Sequence, residues 1–261
     1  MQRRIKRLLR KTYSSIDPIN IALYRLLHPH AGPIPPADNR WRVGSRSIPS
    51  FISAGRNCFE PIVHAMDRYG LPRAPRCPVL DFGCGAGRVL QYFRPLGFAL
   101  FGCDVDESAI GYLKRVYPDV TAHVTGYAPP LPYEDGQFAH VFSVSVWTHL
   151  PPQLQEPWLK EMKRILRPGG LALLTTIGPY GYRKGTHLQA VRFSYDELMR
   201  TGFQYSEYGV PNASPGAGPS YGAAYHTPEF VRTHWSRVMP VLDVQEGVID
   251  DLNDLVVLCN E

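Results

Sequence analysis

Val79-Leu80-Asp81-Phe82-Gly83-Cys84-Gly85-Ala86-Gly87-Arg88 decides the fold. An apolar strand-like run passes directly into glycines at alternate positions. Glycine accepts the positive φ of a tight turn and lets a ligand come close to the backbone. A helix is predicted over 88–93, and its first N–H groups would suit an anion. Asp104, 23 residues after Asp81, ends the next predicted strand, where a carboxylate can accept hydrogen bonds from ribose hydroxyls. A glycine run alone marks only a strand-to-helix turn. Joined to an acid at the next strand end, it points to a nucleotide-like cofactor.

Outward from this stretch, strand-like and helix-like segments alternate. Strands are predicted over 79–82, 98–103, 120–124, 138–146 and 171–176, and helices over 107–116 and 152–166. Alternation of this kind implies a parallel sheet covered by helices. Segment 138–146 is apolar almost throughout, as a strand buried on both faces should be. Arg167-Pro168-Gly169-Gly170 is expected to separate the helix from the fifth strand. Upstream, a helix over 57–69 stops at Gly70, and the Pro- and Arg-rich residues 29–50 read as an extended arm. Downstream, Ser194-x-x-Glu197 caps a helix over 195–201, Thr227-Pro228 opens another to about 238, and 241–248 with 255–259 form a closing pair of strands. The expected organisation is a basic helix and arm over 1–75, then a domain over 76–261 with an inserted lid region at about 179–238. The lid proper is Gly209–Tyr225, too long for an ordinary connection. Tyr221 and Tyr225 would be its walls, with Trp41, Arg42 and Phe51 of the arm opposite.

The chain has 261 residues, 44% hydrophobic and 20% charged, which excludes bulk disorder. No apolar run is long enough to span a membrane, and no secretory leader is evident. The five cysteines are odd in number and lack a C-x-x-C pair, which favours a reducing compartment and a cytoplasmic location. Of the net charge of +5, +6 resides in Arg3, Arg4, Lys6, Arg7, Arg10 and Lys11, leaving −1 for the remainder. A near-neutral body argues against a nucleic-acid groove. Ile5, Leu8, Leu9 and Ile16 recur at helical spacing among those cations. Residues 1–16 therefore read as a solvated terminus, an organelle transit peptide, or a basic amphipathic helix touching anionic lipid from the periphery. Asp250, Asp251, Asn253 and Asp254 read as a hairpin turn rather than a metal site, so no metal is expected.

Four stretches resemble class I S-adenosylmethionine-dependent methyltransferases of the small-molecule, biosynthetic type: VLDFGCGAGR (79–88), FGCDVDESAI (101–110), LPYEDGQFAHVFSVSVWTHL (131–150) and LRPGGLALLTT (166–176). The resemblance implies a Rossmann-like α/β sheet, mostly parallel with an antiparallel C-terminal strand and helices on both faces. It implies S-adenosyl-L-methionine as cofactor, bound by Asp81, Gly83, Gly85, Gly87, Asp104 and Val105, with Tyr127, Ala128 and Ser143 also in contact. The strand-4 end, Ser143 to His149, would face the methyl group and the acceptor, with Trp147 at the substrate. Two departures stand out: many relatives hold the adenine amine with an acid where this chain reads Thr125-Gly126-Tyr127-Ala128, and the frequent Phe-Asp-x-Val is here Phe138-Ala139-His140-Val141.

The spacing Gly83-x-Gly85-x-Gly87 disagrees with the G-x-G-x-x-G of dinucleotide folds. An aminopropyl transferase would want paired acids after strand 4, and a noncatalytic cofactor-binding subunit remains a second reading. Ser145-Val146-Trp147-Thr148 is not the motif of amino-methylating DNA enzymes, no Pro-Cys exists for a cytosine-C5 mechanism, and no glutamate pair follows strand 4. A small molecule, a glycan or a lipid-linked intermediate remains, methylated on oxygen or nitrogen. His149 and His226 are the candidate general bases; each also reads as a packed or loop histidine.

Overall fold

The computed structural model describes residues 2–45, 47–70, 74–185, 191–208 and 221–261, with side chains from Ser14 onward. Three helices come first: α1 (Gln2–Leu27), α2 (Ala37–Arg42) and α3 (Ile48–Tyr69). Then follow β1 (Pro78–Phe82), β2 (Ala99–Asp104), α4 (Glu107–Val116), β3 (Thr121–Val124), β4 (Phe138–Ser143), α5 (Pro152–Ile165) and β5 (Leu166–Thr176). The chain continues through α6 (Pro179–Arg183), α7 (Tyr195–Thr201), β6 (Phe203–Glu207), β7 (Gly222–His226) and α8 (Pro228–His234) to β8 (Val241–Ile249) and β9 (Asn253–Cys259).

Seven strands form one sheet in the order β3-β2-β1-β4-β5-β9-β8. β1 to β5 pair in parallel, and β9 runs antiparallel to both β5 and β8. This is the Rossmann-like sheet, mostly parallel with an antiparallel C-terminal strand, that the resemblance implied. Strand order reverses between β1 and β4, and ligands in such sheets bind outside the strand ends at that crevice.

Successive residues of a strand point to opposite faces, and the two cores obey that rule. Val79, Leu171, Leu173 and Val257 pack with Cys58, Ile62 and Met66 of α3 and Leu113 of α4. Leu80, Val141, Leu174 and Val256 pack on the other face with Trp158, Leu159 and Met162 of α5 and Val231 of α8. All five cysteines are free thiols. Among the described residues, no helix is long and apolar enough to cross a membrane.

Several elements differ from the sequence reading. α3 begins at Ile48 because Ser47 caps it, its hydroxyl accepting the Ser50 N–H at 3.2 Å, with Pro49 in the first turn. Residues 88–93 make no α-helix; a 3₁₀ turn stands there at Leu90–Tyr92, and a second follows at Arg94–Leu96. Pro95 lacks an N–H and blocks a helical bond to Gln91, so no helix N-terminus follows the glycines. β4 ends at Ser143, just before Ser145 turns to φ +61°. β5 starts at Leu166 and absorbs the Pro-Gly-Gly through a register shift between Phe138 and His140. A Cβ on Gly170 would lie 2.8 Å from the carbonyl oxygens of Ala139 and Arg167, so only glycine permits that approach. Part of the expected lid is instead β6 paired with β7 in a separate antiparallel sheet. Residues 209–220 of that expectation, and the side chains of residues 1–13, lie outside the described residues.

Candidate active site

A cavity of about 860 Å³ opens at the carboxyl ends of β1, β2 and β4. Ligand pockets of ~300–1,000 Å³ are usual, so it has room for a nucleoside-sized cofactor beside an acceptor. Its floor is the glycine turn. Gly83, Gly85 and Gly87 all have positive φ, at +81°, +51° and +80°. A Cβ on Gly83 would strike Val146 Cγ2 at 2.3 Å, and one on Gly87 would meet Leu113 Cδ1 at 2.7 Å. These two glycines let the turn pack. Gly85 lines the cavity, and a Cβ there would meet only Val43 Cγ1, at 3.4 Å.

Asp104 and Val105 line the same cavity. Asp104 Oδ2 accepts the Gly85 N–H and Oδ1 accepts the Asp106 N–H, both at 2.8 Å. Burial pushes its carboxyl up to about 6, although the backbone donors of Gly85 and Val105 and the charge of Arg42 pull the other way. Each oxygen keeps a lone pair for a ribose hydroxyl. Asp81 is buried at the head of the turn, raised well above the carboxylate range by burial and by the charge of Asp104, with Arg88 opposing. Thr125, Gly126 and Tyr127 form the adjoining wall, where Trp158 Nε1 donates to the Tyr127 carbonyl at 3.3 Å. A glycine cradle, a carboxylate aimed at the cavity and an aromatic wall fit an adenosyl cofactor with a sulfonium side arm.

His149, Leu150, Pro151, Leu154, Tyr208 and Tyr221 also line the cavity. His149 Nδ1 lies 2.7 Å from the Gly222 carbonyl oxygen. A carbonyl only accepts, so Nδ1 carries the proton, and the lone pair of the neutral ring sits on Nε2. Tyr221 stacks on the imidazole at 4.5 Å between centroids and 28° between planes.

Other expected residues fall elsewhere. Ala128 is exposed and does not line the cavity. Ser143 is fully buried, its hydroxyl donating to the Phe82 carbonyl at 2.7 Å, which ties the ends of β4 and β1. Trp147 is fully buried against Phe82 and Trp235, because β4 has ended and the chain turns inward. Tyr225 is buried with Ile177, Leu198 and Ala223 because β7 pairs with β6. His226 is buried among Phe203, Phe230 and Trp235, with Nε2 at 3.2 Å from Gln155 Oε1. Burial lowers it to about 3, so it stays neutral in the core and reaches no acceptor. Arg42 lines the cavity but pairs with Asp106, whose other oxygen caps α4.

The sequence reading missed the β8–β9 turn and part of the arm. Ile249, Asp250, Leu252 and Asn253 line the cavity, as do Asn39, Val43 and Ser45. The Asp/Asn cluster was a visible signal of a turn, but nothing in it announced which crevice the turn would border.

Comparison with known proteins agrees with this geometry. Residues 80–174 match the family model described as "Methyltransferase domain". An uncharacterized methyltransferase of Synechocystis sp. is 33% identical over 119 residues, which is 45% of this chain and 55% of that one. A fatty-acid O-methyltransferase of Mycolicibacterium smegmatis is 35% identical over 106 residues, 39% of this chain and 37% of that one. The chain spans about half the length, or less, of the curated relatives it matches. A Pyrococcus horikoshii protein of known structure superposes with a TM-score of 0.56 at 18% identity, covering 91% of this chain and 98% of that one. The structure of a SAM-dependent methyltransferase from Methanosarcina mazei gives 0.55 at 17% identity, covering 77% of this chain and 97% of that one. The fold and the glycine–carboxylate site define the class I methyltransferases. Residues 80–174 carry the sequence of a methyltransferase domain, on the fold that S-adenosylmethionine-dependent methyltransferases of known structure share.

Proposed function

We propose that this chain methylates a small-molecule, glycan or lipid-linked acceptor with an apolar body, at an oxygen or nitrogen atom. The carrying observation is that the glycine turn, Asp104 and His149 line one cavity together with Leu150, Leu154, Tyr208 and Tyr221. S-adenosylmethionine supplies an electrophilic methyl group on a sulfonium. Asp104 would hold the ribose, the glycine turn would seat the methionine arm, and Tyr127 would cover the adenine in place of the acid found in many relatives. The acceptor end excludes water with Leu150, Leu154 and Tyr221, and close alignment there supplies most of the rate enhancement in this class of reaction.

An alcohol acceptor must lose a proton as its new bond to carbon forms, and an ammonium must lose one beforehand to free the lone pair that attacks. His149 Nε2 is the group that takes it. The Gly222 carbonyl fixes the tautomer, and the Tyr221 ring holds the imidazole plane. The fatty-acid O-methyltransferase among the relatives accords with an acceptor that carries an aliphatic chain. Incubation of the purified chain with methyl-labelled S-adenosylmethionine and a cell extract, followed by fractionation, tests the reading. Label is expected in the organic-soluble or small-molecule fraction. Label confined to RNA or protein would overturn the acceptor class, and no label in any fraction would overturn the activity.

A further inference from the structure

Helix α1 carries an apolar face that the described residues leave uncovered. Ile16, Ile19, Leu23, Leu26 and Leu27 are all exposed, Leu26 by 78% and Ile19 by 62%. Their spacing places them along one stripe of the helix. In the sequence the same spacing runs back through Leu9, Leu8 and Ile5. The helix is held to the body by a different side. Asp17 is buried, accepts the Ala37 N–H at 2.7 Å, and pairs through Oδ1 with Arg40 at 2.6 Å. This anchor fixes the helix rotation and leaves the aliphatic stripe pointing to solvent.

The charge on this helix is one-sided. Asp17 is the sole acid among residues 1–30, and Arg40 neutralises it inside the fold. Arg3, Arg4, Lys6, Arg7, Arg10, Lys11 and Arg25 lie in the helix sequence. The helix therefore combines an aliphatic stripe with an unbalanced excess of cations, while the rest of the chain is close to neutral.

We propose that α1 docks this protein on an anionic membrane surface. The helix lies in the plane of the interface, with Ile16, Ile19, Leu23, Leu26 and Leu27 in the headgroup–acyl boundary and the basic residues among anionic headgroups. A second copy of the chain is a poorer occupant, because pairing along the stripe would bring two strongly cationic helices together. A nucleic acid would satisfy the cations but leave the aliphatic side chains in water. The docking also has a consequence for the site. The Asp17–Arg40 pair fastens α1 to α2, and Asn39, Trp41 and Arg42 of α2 line the cavity. The docked helix sets that wall of the cavity close to the lipid, where an amphiphilic acceptor resides. The docking itself does not depend on the identity of the acceptor.

The test is co-sedimentation of the full chain with phosphatidylcholine vesicles, with and without phosphatidylglycerol, at low and high salt. Anionic vesicles should bind about tenfold or more of what neutral vesicles bind, and high salt should weaken the binding. Leu23→Glu with Leu26→Glu, and separately Arg3, Arg4, Lys6 and Arg7 all to Gln, should each cut binding by about tenfold. S-adenosylmethionine binding, followed by calorimetry, should stay unchanged in both variants, which shows the fold intact. Equal sedimentation with neutral and anionic vesicles would overturn the proposal, as would full binding by either variant. A dimer seen by light scattering and dissolved by the glutamate pair would assign the stripe to a second copy. RNA that displaces the chain from vesicles and needs Leu23 and Leu26 would assign it to nucleic acid.

Discussion

The Asp104 carboxylate accepts the backbone N–H of Gly85 at 2.8 Å, so the acid proposed to hold the ribose and the glycine turn are one hydrogen-bonded unit. A change at either is felt at both. Asp104→Ala should weaken S-adenosylmethionine binding by ~1.5–3 kcal/mol, the usual worth of a hydrogen bond to a charged group, as read by titration calorimetry.

The same carboxyl makes binding depend on pH. Its pKa in the folded protein is raised to about 6 by burial. The protonated form cannot accept at both oxygens, so affinity should fall by about tenfold for each pH unit below about 6. Binding measured in two buffers of different ionisation enthalpy should show proton release near pH 6. For the ligand-free fold the sign is opposite. A raised carboxyl contributes stability that is complete below its unfolded value and lost as pH rises through about 6. An affinity that stays flat down to about pH 5 would remove Asp104 from the site.

Gly83 carries two separable constraints, φ +81° and a would-be Cβ at 2.3 Å from Val146 Cγ2. Gly83→Ala should cost ~2–4 kcal/mol, the strain of the left-handed backbone plus overpacking. Adding Val146→Ala should restore only the overpacking part, leaving a residue of ~1–2 kcal/mol. Denaturant midpoints of the two single variants and the double variant give the cycle. Full recovery in the double variant would mean that the backbone angle carries no cost.

His149→Ala should lower kcat by ~10²–10⁴-fold while S-adenosylmethionine affinity stays within about twofold. The rise of kcat with pH that reports an imidazole base should vanish with it. His226→Ala should instead lower the melting temperature, because His226 is a core residue beside Trp235. Its own pKa is held at about 3, so it should leave the pH profile unmoved between about 5 and 8.

Asp254 is buried with Oδ1 accepting the Gly247 N–H at 2.9 Å and Oδ2 without a hydrogen-bond partner. Burial raises it to about 7. Its contribution to stability is therefore present below about pH 4 and lost as pH rises through about 7. Asp254→Asn should flatten that decline, seen in urea midpoints at about pH 5 and 8. Gly178→Ala should be strongly destabilising, since its Cβ would sit 2.1 Å from Asp254 Oδ2 although the backbone itself, at φ −103°, is ordinary.

By itself the sequence determined the sheet and half of the site. The alternation of apolar strands and amphipathic helices is local, and it set β1 to β5 nearly where they stand. The glycine turn and Asp104 were legible for the same reason: their geometry comes from a short continuous segment, and only glycine tolerates its backbone angles. Capping at Ser194 and the closing strands β8 and β9 were legible from local chemistry too. The acceptor end was decided by tertiary structure alone. His149 and His226 look alike in sequence, yet β7 carries one into the core while the Gly222 carbonyl fixes the other at the cavity. Trp147 and Tyr225 read as pocket walls and became core because of where β4 ends and how β6 pairs with β7. Ile249 and Asn253 reached the crevice only because β9 inserts between β5 and β8. Which side chain faces a cavity depends on contacts between segments distant in the chain, 73 residues apart for His149 and Gly222, and a local pattern of residues does not encode them.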